Sequence, residues 1–214
     1  MLTIESLTFG PFQENTYIVS DDTSDGVIVD PGCYTQEEQL ALYQYISNNQ
    51  ISIKKIINTH CHIDHVLGNQ SVKSKYQVPL AIPLGEKEVL AAVKVYATNY
   101  GFPNYQEAEV DEYISEQDLV SFGDSQLQVL LVPGHSPGHL AFYHADSAIC
   151  LGGDVLFQGS IGRTDLPGGD FETLIASIHE KMFKLPDEVV VYCGHGPPTS
   201  IGEEKTTNPF CAIV

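Results

Sequence analysis

The sequence has little positive charge and no long apolar run, and these absences exclude several classes of protein. Only 10 of its 214 residues are lysine or arginine, against 28 aspartates and glutamates, which gives a formal net charge of -18. Such a surface repels polyanions, so neither nucleic acids nor anionic membranes are expected as partners. No stretch approaches the ~20 apolar residues that a membrane-spanning helix needs.

The sequence also lacks the cysteine spacing of a disulfide-stabilised or thiolate-zinc protein. Its five cysteines are widely spaced, odd in number and without a CxxC pair. This argues against a disulfide framework and against a thiolate zinc knuckle. Since the first residues also lack the basic start of a targeting segment, we expect a cytoplasmic protein in a reducing compartment.

No repeat, linker or low-complexity tract interrupts the chain, so one domain over residues 1–214 is expected. Strand-like segments form two groups, one in the N-terminal third and one after residue 118, and predicted helices accompany both. The clearest helix starts at Asp170, which can cap its first turn, and a second is predicted over 35–48. The pattern predicts an α/β fold, a four-layer αββα sandwich of two mixed β-sheets flanked by helices.

The densest group of metal-binding residue types is the segment THCHIDH. A predicted strand leads into it, and residues two apart in an extended chain point to the same side. His60, His62 and Asp64 are therefore predicted to converge, while Cys61 faces the interior and His65 begins the next turn. Imidazole and carboxylate suit zinc, iron or manganese, so the segment predicts part of one metal site or parts of two.

Three further ligand candidates each follow a predicted strand and lie in a glycine-rich turn. They are His135 in VPGHSPGH, Asp154 in LGGD and His195 in YCGHGP. Flanking glycines let the backbone bend, so that a short side chain projects from the loop. Any one of them alone would more often be an ordinary polar turn residue, but the ordered series after THCHIDH predicts a metal site.

In this order the motifs resemble the metallo-β-lactamase superfamily, and over nearly the whole chain the single-domain glyoxalase II-like hydrolases. The match runs from QENTYIV through VDPG, THCHIDH, PGHSPGH, LGGDVLF, GSIGRTDLPGGD and YCGHGP to NPF. The resemblance implies the metallo-β-lactamase fold and two divalent metal ions, zinc first, with iron or manganese as alternatives. It implies that the first metal is held by His60, His62 and His135, the second by Asp64, His65 and His195, and that Asp154 bridges them.

The resemblance also implies a hydrolase that cleaves a small-molecule thioester such as S-lactoylglutathione. A bridging hydroxide would attack the thioester carbonyl, and Asp64 or Asp154 would accept the proton of the water. A thiol leaving group, with a pKa of about 8.5, needs no dedicated acid. Two-domain glyoxalase II enzymes add a helical domain that contacts glutathione, whereas only Gly196–Val214 follows His195 here. We therefore expect little preference for glutathione over smaller thiols.

Other functions stay open at this point. Persulfide dioxygenases of the same superfamily also show THCH and GRTD but bind one non-haem iron through two histidines and one aspartate. GHGPPTS and the second glycine-histidine of PGHSPGH favour the hydrolase. From a different class, the chain could be a metal-binding module without catalysis. The acidic charge argues against the nuclease branch of the superfamily.

Three residues beside the motifs have two interpretations each. Asp30 in VDPG supports the metal centre, by the resemblance, or simply ends a strand. His139 binds a metal or packs near the metals without binding them, and the second, structural role is favoured. Arg163, the only arginine, clamps a substrate carboxylate or pairs internally with Asp165 or Asp170.

Overall fold

The structure of the protein is a computed structural model and describes residues 1–213. Within it the chain divides into two compact units. Unit 1 comprises Met1–Ile114 with Ser121–Gln126, and unit 2 comprises Ser115–Val120 with the residues from Leu127 onward. Each unit has its own hydrophobic core. That the chain is a single domain stays a prediction.

The first sheet contains six strands, β1 to β6, in chain order. Their bounds are Thr3–Phe9, Glu14–Ser20, Asp25–Val29, Ser52–Ile57, Leu80–Pro83 and Glu112–Ile114. Strands β1 to β3 pair antiparallel, whereas β3 to β6 pair in parallel. The parallel pairing aligns Val29 with Ile57, so the residues after β3 and after β4 leave the same edge of the sheet.

Four helices accompany this sheet within unit 1. They are α1 (Gln36–Asn48), α2 (Ile63–Val66), α3 (Asn69–Tyr76) and α4 (Lys87–Tyr96), with 3-10 turns at Leu84–Glu86 and Ala97–Tyr100. The predicted start of α1 is confirmed, because Thr35 and Glu38 form a capping box. The core contains large side chains with almost no exposure, among them Ile18, Ile28, Leu42, Ile56 and Leu80.

The extended path predicted through THCHIDH is wrong beyond His62. Strand β4 ends at Ile57, and the helical turn α2 carries Asp64, so this carboxylate does not alternate along a strand. The physical reason is that side-chain carboxylates capture the backbone amides of this segment. Asp30 accepts from the Thr59 N–H at 2.7 Å, and Glu86 accepts from the Cys61 N–H at 2.9 Å.

The second sheet also has six strands, in the order β14-β13-β10-β9-β8-β7. The bounds of β7 to β10 are Leu119–Phe122, Ser125–Leu131, Leu140–His144 and Ile149–Gly153, and those of β13 and β14 are Val190–Cys193 and Thr199–Ser200. Strands β10 and β13 pair in parallel, while β8, β9 and β10 pair antiparallel. A separate hairpin joins β11 (Leu156–Phe157) to β12 (Ser160–Ile161).

Two helices pack in unit 2, α5 (Phe171–Glu180) and α6 (Ile201–Thr207), with a 3-10 turn at Met182–Lys184. Asp170 caps α5 as predicted, accepting from the Thr173 N–H at 2.8 Å. The core of unit 2 includes Leu174 and Ile178 of α5. Helix α6 was not predicted, since seven residues with a glycine are too few to show helical periodicity.

The predicted α/β class, with two mixed sheets and accompanying helices, is confirmed. Among residues 1–213, no helix has both the length and the apolar character required to cross a bilayer.

Candidate metal centre

In unit 1 the buried carboxylate of Asp30 orients two imidazoles. It lies 3.1 Å from His65 Nδ1, and because an ionised carboxylate only accepts, His65 Nδ1 donates. The Thr59 hydroxyl donates its one hydrogen to Asp30 at 2.6 Å, so its oxygen accepts from His60 Nδ1 at 3.0 Å. Both rings therefore carry a hydrogen on Nδ1, and Nε2 is the nitrogen left to bind a metal when the imidazole is neutral.

The four residues predicted from THCHIDH lie together in unit 1. Ligand atoms of His60, His65 and Asp30 are all within 4.8 Å of one another. The His60 and His62 ring centroids are 4.8 Å apart, and His65 Nε2 is 3.8 Å from Asp64 Oδ2. His60 and His65 have no exposed surface. Buried imidazoles beside carboxylates, already oriented by second partners, form a donor set that fits a divalent cation.

The backbone at Asp30 is strained. Its φ is +49°, in the left-handed region that asparagine and aspartate tolerate best among residues with a side chain. It also precedes Pro31, a position that favours extended backbone. Such conformations persist where the surroundings enforce them, and this one lets Asp30 reach the chain after β4.

Two buried carboxylates of unit 1 were missed by the sequence reasoning. Glu86 has no exposed surface, and by accepting from the Cys61 N–H it fixes the peptide between His60 and His62. Glu14 is 1% exposed, with Oε1 3.9 Å from His65 Nδ1. The signal that could have revealed Glu14 is a charged residue at the start of a strand whose other residues carry no charge.

The environment of Glu14 favours the protonated carboxyl group. Burial raises the pKa of Glu14 well above its ordinary value, His65 opposes the shift, and the charges of Asp30 and Asp64 add to it. Glu14 Oε2 also contacts the Thr16 hydroxyl at 3.0 Å. Burial thus disfavours a negative charge on Glu14, and His65 is the neighbour that favours it.

In unit 2 one carboxylate oxygen lies between two imidazoles. Asp154 Oδ2 is 3.6 Å from His135 Nε2 and 3.4 Å from His195 Nε2. His135 Nδ1 is 2.8 Å from the Arg163 carbonyl oxygen, which can only accept, so Nδ1 donates and Nε2 is the nitrogen left for a metal. The three residues predicted from the glycine-rich turns are thus together, and the tautomer of His135 suits metal binding.

His139 contacts the same carboxylate residue through the backbone. The Asp154 N–H donates to His139 Nε2 at 3.0 Å, so the lone pair of that nitrogen is engaged in a hydrogen bond. His139 is fully buried, with its ring centroid 6.0 Å from that of His135. This contact fixes the start of the loop that carries Asp154.

The turn before His135 is anchored to α5. Gly134 has φ +126°, and an added Cβ would lie 2.3 Å from the backbone nitrogen of Leu174. Its carbonyl accepts from the Asp170 N–H at 2.8 Å. The motif PGH therefore needs glycine at this position, because only glycine allows both the backbone angle and the close approach to the helix.

The Arg163 side chain forms a fork with Asp165, at 2.6 and 2.7 Å. Hydrogen bonding to Arg163 lowers the pKa of Asp165 to about 2, but both side chains are mostly exposed, at 61% and 68%. Asp170 serves as the cap of α5 instead. The orienting role of the Arg163 carbonyl toward His135 was not visible in the sequence, since any residue can supply a carbonyl.

The two cysteines beside the motifs are buried thiols. Burial raises the pKa of Cys61 well above its ordinary value, and the Glu86 and Asp30 charges add to this. Burial likewise raises the pKa of Cys193 to about 12, and its S–H donates to the Leu156 carbonyl at 3.2 Å. Metal binding by cysteine requires the thiolate, so neither is a ligand in this form.

Comparison with known proteins agrees with this chemistry. Residues 9–195 match the family model of the metallo-β-lactamase superfamily. The chain is similar to hydroxyacylglutathione hydrolase GloC of Haemophilus influenzae, with 35% identity covering 98% of each chain. It is similar in structure to the BLEG-1 B3 metallo-β-lactamase (TM-score 0.89, 35% identity, 98% and 99% covered). It also resembles TTHA1623 in a di-iron-bound form (TM-score 0.84, 37% identity, 96% and 99% covered).

The family match covers most of the chain, and the relatives named above are 35% or more identical over almost their whole length. The chain therefore belongs to the metallo-β-lactamase superfamily and has its fold.

Proposed function

We propose that the seven predicted ligands form one two-metal centre and that the protein hydrolyses a small-molecule thioester. The observation that carries the proposal is the placement of Asp154 Oδ2 at 3.6 and 3.4 Å from the Nε2 atoms of His135 and His195. A carboxylate shared by two imidazoles is suited to bridge two cations, with one imidazole on each. In this proposal the first cation is held by His60, His62 and His135, the second by Asp64, His65 and His195.

The donor set suits two divalent ions. Nitrogen and carboxylate ligands favour zinc, and iron or manganese are alternatives that the same ligands accept. A di-iron form is known for the relative TTHA1623, which keeps iron in the proposal. Two divalent ions held there would supply an acidified water as nucleophile and a Lewis acid for the carbonyl oxygen.

Residues of the chain would then accept the proton of the attacking water and bind the substrate. Asp64, 16% exposed at its side chain, and Asp154, 10% exposed, are the carboxylates placed to accept a proton from water. No acid is needed for a thiolate leaving group. Arg163 is exposed, and its guanidinium could exchange Asp165 for a carboxylate of the substrate.

The substrate class rests on the relatives. The name of the Haemophilus influenzae relative, hydroxyacylglutathione hydrolase, supports a hydroxyacyl thioester such as S-lactoylglutathione. A cytoplasmic location is part of the proposal, because the five cysteines are all buried free thiols rather than disulfides.

The test combines elemental analysis of the purified protein with parallel assays of thioester hydrolysis and of persulfide-dependent oxygen uptake. We expect two metal equivalents per chain and thioester turnover. One iron per chain with oxygen uptake would identify a persulfide dioxygenase instead. Full metal content with neither activity would identify a metal-binding module.

A further inference from the structure

The NPF motif near the C-terminus has no part in the proposed chemistry, yet its asparagine is buried. Asn208 is 1% exposed and follows helix α6. Its Nδ2 donates to the Glu204 carboxylate at 2.7 Å and to the Ser160 carbonyl at 3.0 Å. Glu204, one helical turn earlier, has no exposed surface. Buried polar side chains of this kind are retained where their hydrogen bonds fix a particular backbone path.

The Glu204 carboxylate receives three donors from different parts of unit 2. Besides Asn208, the Gly159 N–H donates to Oε2 at 3.0 Å and the Thr199 hydroxyl donates to Oε1 at 2.5 Å. Gly159 lies in the turn of the β11–β12 hairpin, whereas Thr199 begins β14, just after the loop that carries His195. One buried carboxylate therefore joins the hairpin turn to the segment that follows His195.

The hairpin held in this way carries an aromatic ring against His195. The ring centroids of Phe157 and His195 are 6.3 Å apart with an interplanar angle of 77°, an edge-to-face contact. The side chain of His195 is 27% exposed, and the next residue, Gly196, has φ +72°. The Phe157 ring therefore limits the orientations that the His195 imidazole adopts.

We propose that Glu204 and Asn208 are positioning residues for His195. They fix the 157–160 turn, and through Phe157 they keep the His195 imidazole facing Asp154 Oδ2 at 3.4 Å. The inference rests on the proposed function in one respect, that His195 binds a metal ion. Partners that orient a metal-binding histidine typically contribute ~10–100-fold to metal affinity.

The experiment measures zinc affinity of the full-length protein by competition with a chromophoric chelator. The variants are Asn208→Ala, Phe157→Leu and the double variant, with His195→Ala as the reference for loss of the ligand. Thr206→Ala is the matched control, since this exposed hydroxyl on α6 bonds only to carbonyls of its own helix. We expect each single variant to bind one of its two zinc ions roughly tenfold more weakly.

The double variant separates positioning from general stability. If Asn208 acts through Phe157, the zinc affinity of the double variant equals that of the single variant that binds zinc less tightly. If the two residues act independently, the two losses of affinity multiply. Equal zinc affinity of Asn208→Ala and the control, or multiplied effects, would overturn the inference. Should Asn208→Ala not fold, Asn208→Ser replaces it in the same cycle, because a hydroxyl has one hydrogen and cannot donate to both Glu204 and Ser160. Two tight zinc ions in His195→Ala would instead refute the ligand assignment of the proposed function.

Discussion

The two units orient their histidines by different means. In unit 1 buried side-chain carboxylates do so: Asp30 contacts His65 directly and His60 through Thr59. In unit 2 the backbone does so, since a carbonyl orients His135 and a backbone N–H engages His139. The difference teaches which change should weaken metal binding in each unit. In unit 1 the loss of one side-chain charge should disturb the proposed ligands, whereas in unit 2 a shift of the backbone should do so.

The largest effect is expected from a substitution of a proposed metal ligand itself. Asp154→Asn removes the carboxylate that lies between His135 and His195, and with it the negative charge on which bound cations depend. We expect loss of at least one metal equivalent and a fall in kcat/KM of two decades or more, on the order of 3 kcal/mol. Metal analysis and thioester turnover check this, with exposed Asp146→Asn as control. Unchanged occupancy and turnover would falsify the assignment.

Asp30→Asn tests the carboxylate support of unit 1. Asparagine tolerates the left-handed backbone of this position, so the fold should persist while the acceptor for His65 loses its charge. We expect metal affinity to fall by roughly 10–100-fold, measured by chelator competition. Asp25→Asn is the control, since that carboxylate pairs with the partly exposed Lys54 at 2.9 Å. Wild-type affinity in Asp30→Asn would show that charge is not what orients these imidazoles.

Gly162→Ala tests the backbone support of unit 2. A Cβ at this position would lie 1.9 Å from the Asp154 carbonyl oxygen and 3.1 Å from His135 Nδ1, so the loop has to move. We expect about a tenfold loss of metal affinity, because ligands must keep their geometry. Gly101→Ala serves as the control for loss of stability alone, because its φ of +93° strains an alanine although the added Cβ meets no atom within 4 Å. If both variants bind metal equally tightly, the position of the backbone around His135 is not what determines metal binding in unit 2.

Arg163→Lys should have a smaller and selective effect. The exposed pair with Asp165 is screened by solvent and contributes little to stability, so the melting temperature should barely change. If the guanidinium clamps a substrate carboxylate, KM for a carboxylate-bearing thioester rises more than KM for a neutral one, by a factor equivalent to about 1 to 3 kcal/mol. Equal KM changes for both substrates would indicate that the Arg163 side chain forms the ion pair with Asp165 and does not bind the substrate.

The smallest effect concerns a carboxylate of unit 1 outside the ligand set. Burial raises the pKa of Glu38, but backbone N–H donors from Thr35, Gly10 and Tyr34 outweigh it and lower the pKa below the ordinary 4.5. A depressed pKa stabilises the folded state above the unfolded value, and this contribution is lost as the pH falls through the folded pKa. Glu38→Gln should therefore lower stability at neutral pH by about 0.5 to 1 kcal/mol, allowing for partial exposure. Thermal unfolding at neutral and acid pH checks this: the difference from wild type should vanish in acid, and a constant difference would contradict the linkage.

Local sequence determined much of this protein by itself. The candidate ligands in THCHIDH, PGH, GGD and GHG could be picked out from the sequence, because their ordered series is more than ordinary polar turn residues would give. The capped starts of α1 and α5 were equally readable, since Thr35 and Asp170 satisfy backbone donors within three residues. The α/β class followed from the grouping of strands and helices.

Only the tertiary structure decided how the ligands are held. Glu86 and Asp30 capture backbone amides from distant segments, and this ends the extended path before Asp64 in a way that no local pattern shows. His135 contacts the backbone carbonyl of Arg163. Every residue has a carbonyl, so the sequence cannot indicate this contact. The hydrogen bonds of Glu204 with Gly159 and Thr199 depend on long-range packing. Sequence periodicity reports the burial of side chains near in sequence, whereas these partners meet only once the chain has folded.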